Sequence, residues 1–393
     1  MSDANRLRLS LIPEVTFAVT PTSTPAFLIL PTTGQSLRDR LGYQQSQTIR
    51  SDRNVKDLVR LSKASGGGLP CELTYSASTE ALFAAIRATL CSSGETAVTT
   101  EVTSVTSSSN VLSVGSGNVE TGVEVGDILR IRNASDVLVA YVKVSAVDSG
   151  AHTVTVTGAT IPNASTTYKV LRGARMKNGT TEYSYSVEAA RTDIDIAQIF
   201  TGQVFDSMDL SVSDEAITTA NFSLMGSSST RIDAPVSGSG TTALYMTGAT
   251  YTDPASNPVL DSIAVPELRV ADGAYAAKSI GITLSNNVAA RTQIGALGPQ
   301  SMRRGSFGAQ IRVRAYMDGF DDLDDFANNT ETDIWFVMID ANNRGWSFSF
   351  PQCKFSDAGA DTQGLDQDDY KDLALTAYLD PTELCTVRVQ RWA

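Results

Sequence analysis

The sequence predicts a mainly β protein: a β-sandwich or partial barrel with one flanking α-helix and a long loop, into which a small all-β domain is inserted. Three observations predict this class. Two β-rich runs flank a turn between Asp333 and Phe355, short Val- and Thr-rich strands recur between residues 97 and 171, and helical periodicity is clear only near residues 81–90. A chain of 393 residues favours two or three domains.

The strongest strand signal surrounds the turn at residues 341–345. Ile334 to Ile339 is apolar at every position, which predicts a strand buried on both faces. The turn contains the Asn and Gly residues that a tight reversal needs. The return strand alternates aromatic residues and serines over residues 346–350, and Pro351 is expected to weaken pairing there. This hairpin needs a surrounding sheet, because a short hairpin is not stable alone in water.

The chain before residue 93 combines an arm, a polar stretch and a helix. Four prolines predict that residues 1–35 form an extended, turn-rich arm. Leu37 to Lys63 is predicted to be a long loop without regular structure, and it carries seven basic residues against three acidic ones. A helix follows over residues 81–90, with Ser78 or Thr79 as its cap and Glu80 near its N-terminus.

The predicted domains are 1–92 and 176–393, which together form the larger unit, and 93–175, which is inserted between them. The insert is predicted to be a small β-barrel or sandwich. Its predicted strands are Val98–Val105, Val111–Val114, Asp127–Arg132, Val137–Val147, Thr153–Val156 and Tyr168–Leu171. In the larger unit, Ser207–Ser213 with Thr219–Met225 is echoed by Ser279–Ser285 with Ser306–Met317, which indicates two related strand pairs.

Other parts of the larger unit give weaker signals. Residues 227–241 are rich in Gly and Ser and are predicted to be a flexible loop. Asp318 to Asn328 is predicted to be a short helix. Tyr370 to Leu379 and Thr386 to Arg391 are predicted to be closing strands.

A search for catalytic, metal and cofactor motifs finds none. The single histidine, His152, has no Ser or Cys partner pattern, and no nucleophile elbow or phosphate loop occurs. The cysteines are too scattered for a zinc or redox site, so we expect buried free thiols at Cys71, Cys91, Cys353 and Cys385. No secretory leader or membrane-spanning stretch is visible, so we expect a soluble protein made in a reducing cytoplasm.

Charge is the one site-like feature. Acidic residues outnumber basic ones by 43 to 31, so the chain as a whole is expected to repel nucleic acid. One acidic run does not have the spacing of a calcium loop, and it is either a solvated face or a surface past which another polyanion moves. Its aspartates are Asp318, Asp321, Asp322, Asp324 and Asp325.

Several stretches resemble the tail tube proteins of long-tailed, non-contractile bacteriophages. The resemblance lies in residues 13–35 and 49–59, in LTYSASTEALFAAIRATL from Leu73, in YSVEAARTDIDIAQIFTGQVFDSMDLSVS from Tyr185, and in the C-terminal half around the hairpin. It implies six subunits to a ring, rings stacked into a hollow tube, and inner strands that close one continuous barrel. The match covers most of the chain outside residues 93–175, and the role of the insert stays open.

The resemblance implies a structural protein of the virion tail, present in the host cytoplasm during assembly. Its partners would be its own copies and the tape measure, tail tip and tail terminator proteins. Viral DNA would pass an acidic lumen without specific binding, and no membrane insertion is implied. We assign ring stacking to Arg50, Arg53, Lys56 and Arg60, and a lumen or ring contact to the five aspartates of residues 318–325. The alternatives are a decoration or host-surface-binding protein acting through the insert, and an enzyme with a carboxylate pair.

Overall fold

The computed structural model describes residues 3–52, 54–114, 118–163, 168–362, 364–365 and 367–393. Within these ranges the chain is mainly β, with two α-helices, α1 (Ala81–Thr89) and α2 (Asp321–Asn328), and 3-10 turns at Ala4–Arg6, Gly240–Thr242 and Ser262–Ala264. The strands before residue 180 are β1 (Leu7–Pro13), β2 (Ala26–Ile29), β3 (Arg38–Gln45), β4 (Leu58–Glu72), β5 (Val102–Ser108), β6 (Val111–Val114), β7 (Ile128–Asn133), β8 (Leu138–Asp148), β9 (Thr153–Thr157), β10 (Tyr168–Arg172) and β11 (Ala174–Lys177). The later strands are β12 (Tyr185–Arg191), β13 (Ile196–Ser213), β14 (Thr219–Gly226), β15 (Ser228–Ile232), β16 (Thr250–Thr252), β17 (Glu267–Val270), β18 (Gly273–Ala274), β19 (Ala277–Ser285), β20 (Ala289–Arg291), β21 (Ser301–Arg303), β22 (Gly308–Tyr316), β23 (Glu331–Ile339), β24 (Gly345–Thr362), β25 (Asp369–Ala377) and β26 (Arg388–Trp392).

Two long strands, β13 and β24, connect three regions of one large sheet. The first half of β13 pairs with β12 and β15, and its second half pairs with β14 and β19. The first half of β24 pairs with β23 and β26, and its second half pairs with β25. The middle region therefore runs β3–β4–β14–β13–β19–β22–β25–β24, which places the two echoed strand pairs side by side.

The predicted central hairpin is confirmed. In the β23–β24 pair, Phe336 lies opposite Phe348 with the rings stacked at 5.5 Å. Pairing is interrupted at Pro351, because Ile334 lies opposite Phe350 while Thr332 lies opposite Cys353. This bulge leaves two residues of β24 facing one residue of β23, as expected where a proline cannot donate a hydrogen bond.

Helix α1 lies where the sequence predicts it, but its cap differs from the prediction. Neither Ser78 nor Thr79 caps it; Glu80 is the N-cap residue and its side chain makes no capping bond. Instead, Phe83 N–H donates to Ser76 Oγ at 3.2 Å. The helix is buried on nearly every side, with only Arg87 partly exposed, so it fills the space beside the sheet rather than covering it with a single stripe.

The insert contains a closed six-stranded barrel in the order β10–β5–β6–β9–β8–β7. Closure removes the free strand edges that a small open sheet would expose. The barrel has its own core of Val, Leu and Ile side chains between Val105 and Val170. The strand positions agree with the predicted ones, whereas the domain limits at 92/93 and 175/176 stay predictions.

Buried contacts join the barrel to the sandwich. Trp335 and Val337 on the second face of β23 pack with Ile128, Tyr141 and Trp392, which explains why β23 is apolar on both faces. Ion pairs and backbone bonds surround this apolar contact: Asp127 with Arg175 at 2.6 Å and with Arg388 at 3.6 Å, and the Gln390 side chain with the Ile128 N–H at 2.7 Å.

Two segments predicted to be loops contain strands, and the predicted extended arm contains β1 and β2. The loop at 37–63 is a long hairpin of β3 and β4, which pair with each other although β3 and the first half of β4 are largely exposed. The loop at 227–241 begins with β15, whose backbone pairs with β13 despite its weak local propensity. In the arm, Leu11 lies opposite Val187.

Two further expectations concern the cysteines and the membrane. All four cysteines are free and buried, as expected. Burial raises the pKa of the Cys71 and Cys353 thiols to about 12, which keeps both thiols protonated and unreactive. Neither described helix is long and apolar enough to cross a bilayer.

Candidate functional site

The hairpin of β3 and β4 projects from the end of the sheet. Leu58 to Ala64, in the first half of β4, pairs with no described strand other than β3, so this part of the hairpin reaches roughly 20 Å beyond its neighbours. Its base is attached to the body where Lys63 N–H donates to Leu297 O at 2.7 Å and Lys63 Nζ donates to Ser229 O at 3.1 Å. Both faces of the hairpin are largely open to solvent.

Apolar side chains are exposed along this hairpin in the part of the chain that the structure describes. Ile49 at the tip is 98% exposed. The exposed apolar residues of the hairpin are Leu41, Tyr43, Ile49, Val55, Leu58, Val59 and Leu61. Single exposed apolar residues are normal, but a group of seven on one projecting element marks a protein-binding surface.

The basic residues predicted for ring stacking lie at or near the tip of this hairpin. Arg50 binds Asp52 through two hydrogen bonds of 2.9 and 2.7 Å, and this contact lowers the pKa of Asp52 to about 2. Lys56 and Arg60 are exposed and have no ion-pair partner among the described residues. Arg53 lies outside the described residues. The hairpin therefore presents uncompensated positive charge beside its apolar side chains.

A second basic segment lies at the same end of the molecule. Residues 286–307 follow β19 and carry three arginines and no acidic residue. Arg291 and Arg303 are exposed, and Arg304 donates to Tyr183 O at 2.7 Å. We call the hairpin together with this segment the basic end.

The predicted aspartates lie at the opposite end of the sheet. The second half of β13 runs about 30 Å from Val204, near the hairpin, to the turn at Asp214 and Glu215. Strand β22 ends at this far end, where Tyr316 N–H donates to Ala276 O. Helix α2 begins five residues after Tyr316 and therefore lies at the same end. We call this region, residues 214–217, 261–267, 274–278 and 316–328, the acidic end.

The five aspartates differ in exposure. Asp318, Asp321 and Asp324 are exposed and Asp325 is half-buried. Asp322 is only 4% exposed, so its assignment to an acidic surface is wrong. Whether the other four face a lumen stays a prediction.

Asp322 is buried because it binds a lysine from another strand. Lys371 Nζ lies 2.5 Å from Asp318 Oδ1 and 2.5 Å from Asp322 Oδ2. The Tyr275 hydroxyl also donates to Asp322, and its ring lies 4.4 Å from the ammonium. Burial alone would lower the pKa of Lys371, but the bonds to Asp318 and Asp322 outweigh it and raise that pKa. These two aspartates thus hold α2 against the sheet.

One face of the middle sheet region is open and polar. Across its strands, Asp209 lies between Asn221 and Thr283, and Ser211 lies between Thr219 and Gly281. The face is dominated by small polar side chains and contains a shallow groove of about 810 Å³. By strand register its charged residues are Glu72, Asp209, Asp357, Asp361 and Asp372 against Arg38, Arg40, Arg312 and Arg314. Arg314 is paired with Asp361 at 2.7 Å and with Asp372 at 3.1 Å, which leaves a small acidic excess.

The same sheet region has two unpaired margins. Among the described residues, β3 pairs only with β4, and residues 355–362 in the second half of β24 pair only with β25. The Asp369 carbonyl accepts from Met317 N–H on the far side of β25, so strand alternation points the Ala360 N–H away from β25 and outward. Unpaired margins of this kind are ready to pair with another strand.

Side chains that could ligate a metal are dispersed over the described residues. In the part of the chain that the structure describes, no group of three or more His, Cys, Asp or Glu side chains is placed to hold a metal ion. His152 binds Glu120 at 2.6 Å on a surface loop of the barrel and lowers the pKa of that carboxyl.

The charge of residues 37–63 was predicted from the sequence, but their exposed apolar side chains were not. The available signals were Leu41 with Tyr43 and Val59 with Leu61, each pair two residues apart. Both faces of this hairpin are exposed, so apolar and polar residues do not alternate strictly along its strands. The two-residue period that indicates a strand was therefore hard to recognise.

The sequence matches the family model described as phage tail tube protein over residues 4–370. No curated protein matches the chain.

Proposed function

This chain belongs to the phage tail tube protein family, and we propose that it is the repeating subunit of the tail tube of a long-tailed, non-contractile bacteriophage. Six copies close a ring, rings stack into a hollow tube, and viral DNA passes through the bore into the host. The observation that carries this proposal is that one sheet has two unpaired margins and, at one of them, a projecting hairpin with no partner in the single chain. The family is structural, and the proposal includes no catalytic step.

Ring closure follows from the two margins. The outer edge of β24 in one copy pairs with the β3 margin of the next copy, so the same contact repeats around the ring. Such a head-to-tail contact forms a closed ring when its rotation divides a full turn. Closure then removes every exposed edge of the inner sheet, and with it the risk of uncontrolled strand pairing.

The open polar face then lines the bore. Its small hydroxyl and amide side chains reduce the apolar surface to which a passing polymer would adhere. Its five acidic residues slightly outnumber its four basic ones, and Arg314 is already paired with Asp361 and Asp372, so the wall has no excess positive charge to hold DNA through counterion release. DNA is therefore conducted without specific binding.

Assembly defines the remaining partners and the location. The ends of a stacked tube need a tip and a terminator protein, and the bore holds the tape measure protein before DNA enters. We place the chain in the virion tail, with assembly in the host cytoplasm. No step of this assembly requires insertion into a membrane.

The test is electron microscopy of two variants at the outer edge of β24. Ala360→Pro removes the outward N–H without breaking the β24–β25 pairs, so we expect a folded monomer that forms no rings. Ala360→Ser keeps the N–H and serves as the matched control, for which six-fold hollow tubes are expected. Normal tubes from Ala360→Pro, or monomers alone from the unmodified protein, contradict the proposal.

A further inference from the structure

A groove at the acidic end has no occupant in the single chain. It lies between the turn at Asp214, the 3-10 turn Ser262–Ala264 and residues 274–278, and it encloses about 360 Å³. Apolar side chains, among them Val265, Pro266, Leu268 and Ala276, line part of it, and polar groups such as Ser213, Ser262 and Ser279 line the rest. A volume of this size accommodates more than one aliphatic side chain.

Exposed apolar side chains extend this groove onto the surface. Ile263, beside the groove, is 89% exposed, and Ile217, which forms a bridge with Asp261, is 49% exposed. Phe320, just before α2 at the same end, is also exposed. A groove with a mixed polar and apolar lining, continued by exposed apolar residues and surrounded by charge, is typical of a protein-binding site.

The charge around the groove is negative. Glu215 is exposed and has no ion-pair partner among the described residues, and Asp321 and Asp324 on α2 are exposed nearby. The lysine beside the groove, Lys278, is already bound to Asp214 at 3.3 Å. A partner for this surface should therefore combine apolar side chains with positive charge.

The basic end of the same molecule has that combination. The hairpin tip carries Ile49, fully exposed, next to Arg50, while Lys56 returns on the other side of the tip. The basic and acidic ends lie about 30 Å apart along the strand direction, on opposite ends of the sheet. A contact between opposite ends of identical molecules repeats without limit and builds a filament, as a stack of rings requires.

We infer that the groove at the acidic end receives the hairpin tip of a second copy of this chain in the adjacent ring. Ile49 enters the groove beside Ile263, and the unpaired charge of Lys56 meets Glu215 and the exposed aspartates of α2, to which Arg50 turns from Asp52. This inference rests on the proposed function and names the receiving surface of its stacking contact. Ring closure uses the margins of β3 and β24 and is independent of it.

Cysteine crosslinking of assembled tubes tests the contact. Ile49→Cys is combined in one chain with Ser262→Cys, Ile263→Cys or Ala276→Cys, and the tubes are oxidised; the four native cysteines are buried and do not interfere. We expect a ladder of covalent multimers for at least one pair, because a head-to-tail contact links each copy to two others. The control pairs Ile49→Cys with Ile294→Cys, an exposed residue of the basic end, for which no ladder is expected.

The outcomes separate this inference from the proposed function. If none of the three groove pairs gives a ladder, or if the Ile294→Cys control gives one, the groove contact is wrong. Because tubes still form in both cases, the proposed tail tube function is unaffected. An unmodified protein that forms no tubes overturns the proposed function first.

A charge exchange provides a second, non-covalent test. Arg50→Glu with Lys56→Glu should raise the protein concentration needed for tube formation by at least about tenfold. Adding Glu215→Arg to the same chain should reverse much of this loss. Each stacking contact then joins the glutamates at the hairpin tip of one copy to the new arginine beside the groove of the next copy. A matched control adds Asp253→Arg, an exposed acidic residue outside the acidic end, which should not restore tubes. Equal rescue by both changes contradicts the assignment of the groove.

Discussion

Replacing Trp335 by alanine should separate the barrel from the sandwich. The side chain is fully buried and lies in the cluster with Tyr141 and Trp392 that joins the two units. Removing a buried tryptophan costs about 3–5 kcal/mol. The indole N–H of Trp335 is buried and has no hydrogen-bond partner among the described residues, so its removal returns about 1 kcal/mol of that cost. We expect a net loss of about 2–4 kcal/mol.

Calorimetry of unassembled protein measures this effect, with Phe336→Ala as the matched control. Phe336 is the next residue along β23 and equally buried, but it faces the sandwich core and stacks on Phe348. Trp335→Ala should produce a barrel transition at lower temperature than the sandwich transition, whereas Phe336→Ala should lower the stability of the sandwich. A loss below about 1 kcal/mol for Trp335→Ala, or early barrel melting in both variants, would refute the reasoning.

Three further predictions concern charge. Reversing Arg50, Arg53 and Lys56 to glutamate should leave rings folded but unstacked in negative-stain images, and normal tubes from this triple variant would count against the stacking role. Lys371→Met should cost about 3–5 kcal/mol in urea unfolding, because it leaves Asp322 buried without its cation, and adding Asp322→Leu should restore most of the loss; an unchanged midpoint would contradict this account. Burial raises the pKa of Glu188 above the ordinary 4.5, although its carboxylate binds Arg8 at 3.1 Å. The folded state therefore binds this proton more tightly than the unfolded chain does. As a result, the free energy of unfolding falls as pH rises from 4.5 through the raised pKa. Glu188→Gln should flatten that fall in urea unfolding at pH 4.5 to 7, and an unchanged slope would show that other groups cause it.

The sequence was most informative where burial leaves a local pattern. Ile334 to Ile339 is apolar on both faces, and the structure covers it from both sides, with the sandwich core on one and the barrel on the other. The short strands of the insert also carry a buried face, so their positions were predictable from alternation and turns. The central hairpin and the barrel strands were therefore predicted within a few residues.

The sequence was least informative where pairing or charge depends on distant residues. β1 and β15 have little local strand signal, and their partners lie far away in the chain, as for Leu11 opposite Val187. Asp322 stands in a run of similar aspartates, and only the fold brings Lys371, 49 positions further on, into contact with it. The β3–β4 hairpin was missed because neither of its faces is buried in the single chain.

High-resolution electron microscopy of the assembled protein tests the central claim most directly. The account predicts stacked rings in which the outer edge of β24 pairs with the next copy and the polar face with Asp209 and Asp372 lines the bore. A stable monomer with both sheet margins covered, or a bore lined by arginine and lysine side chains, would contradict it.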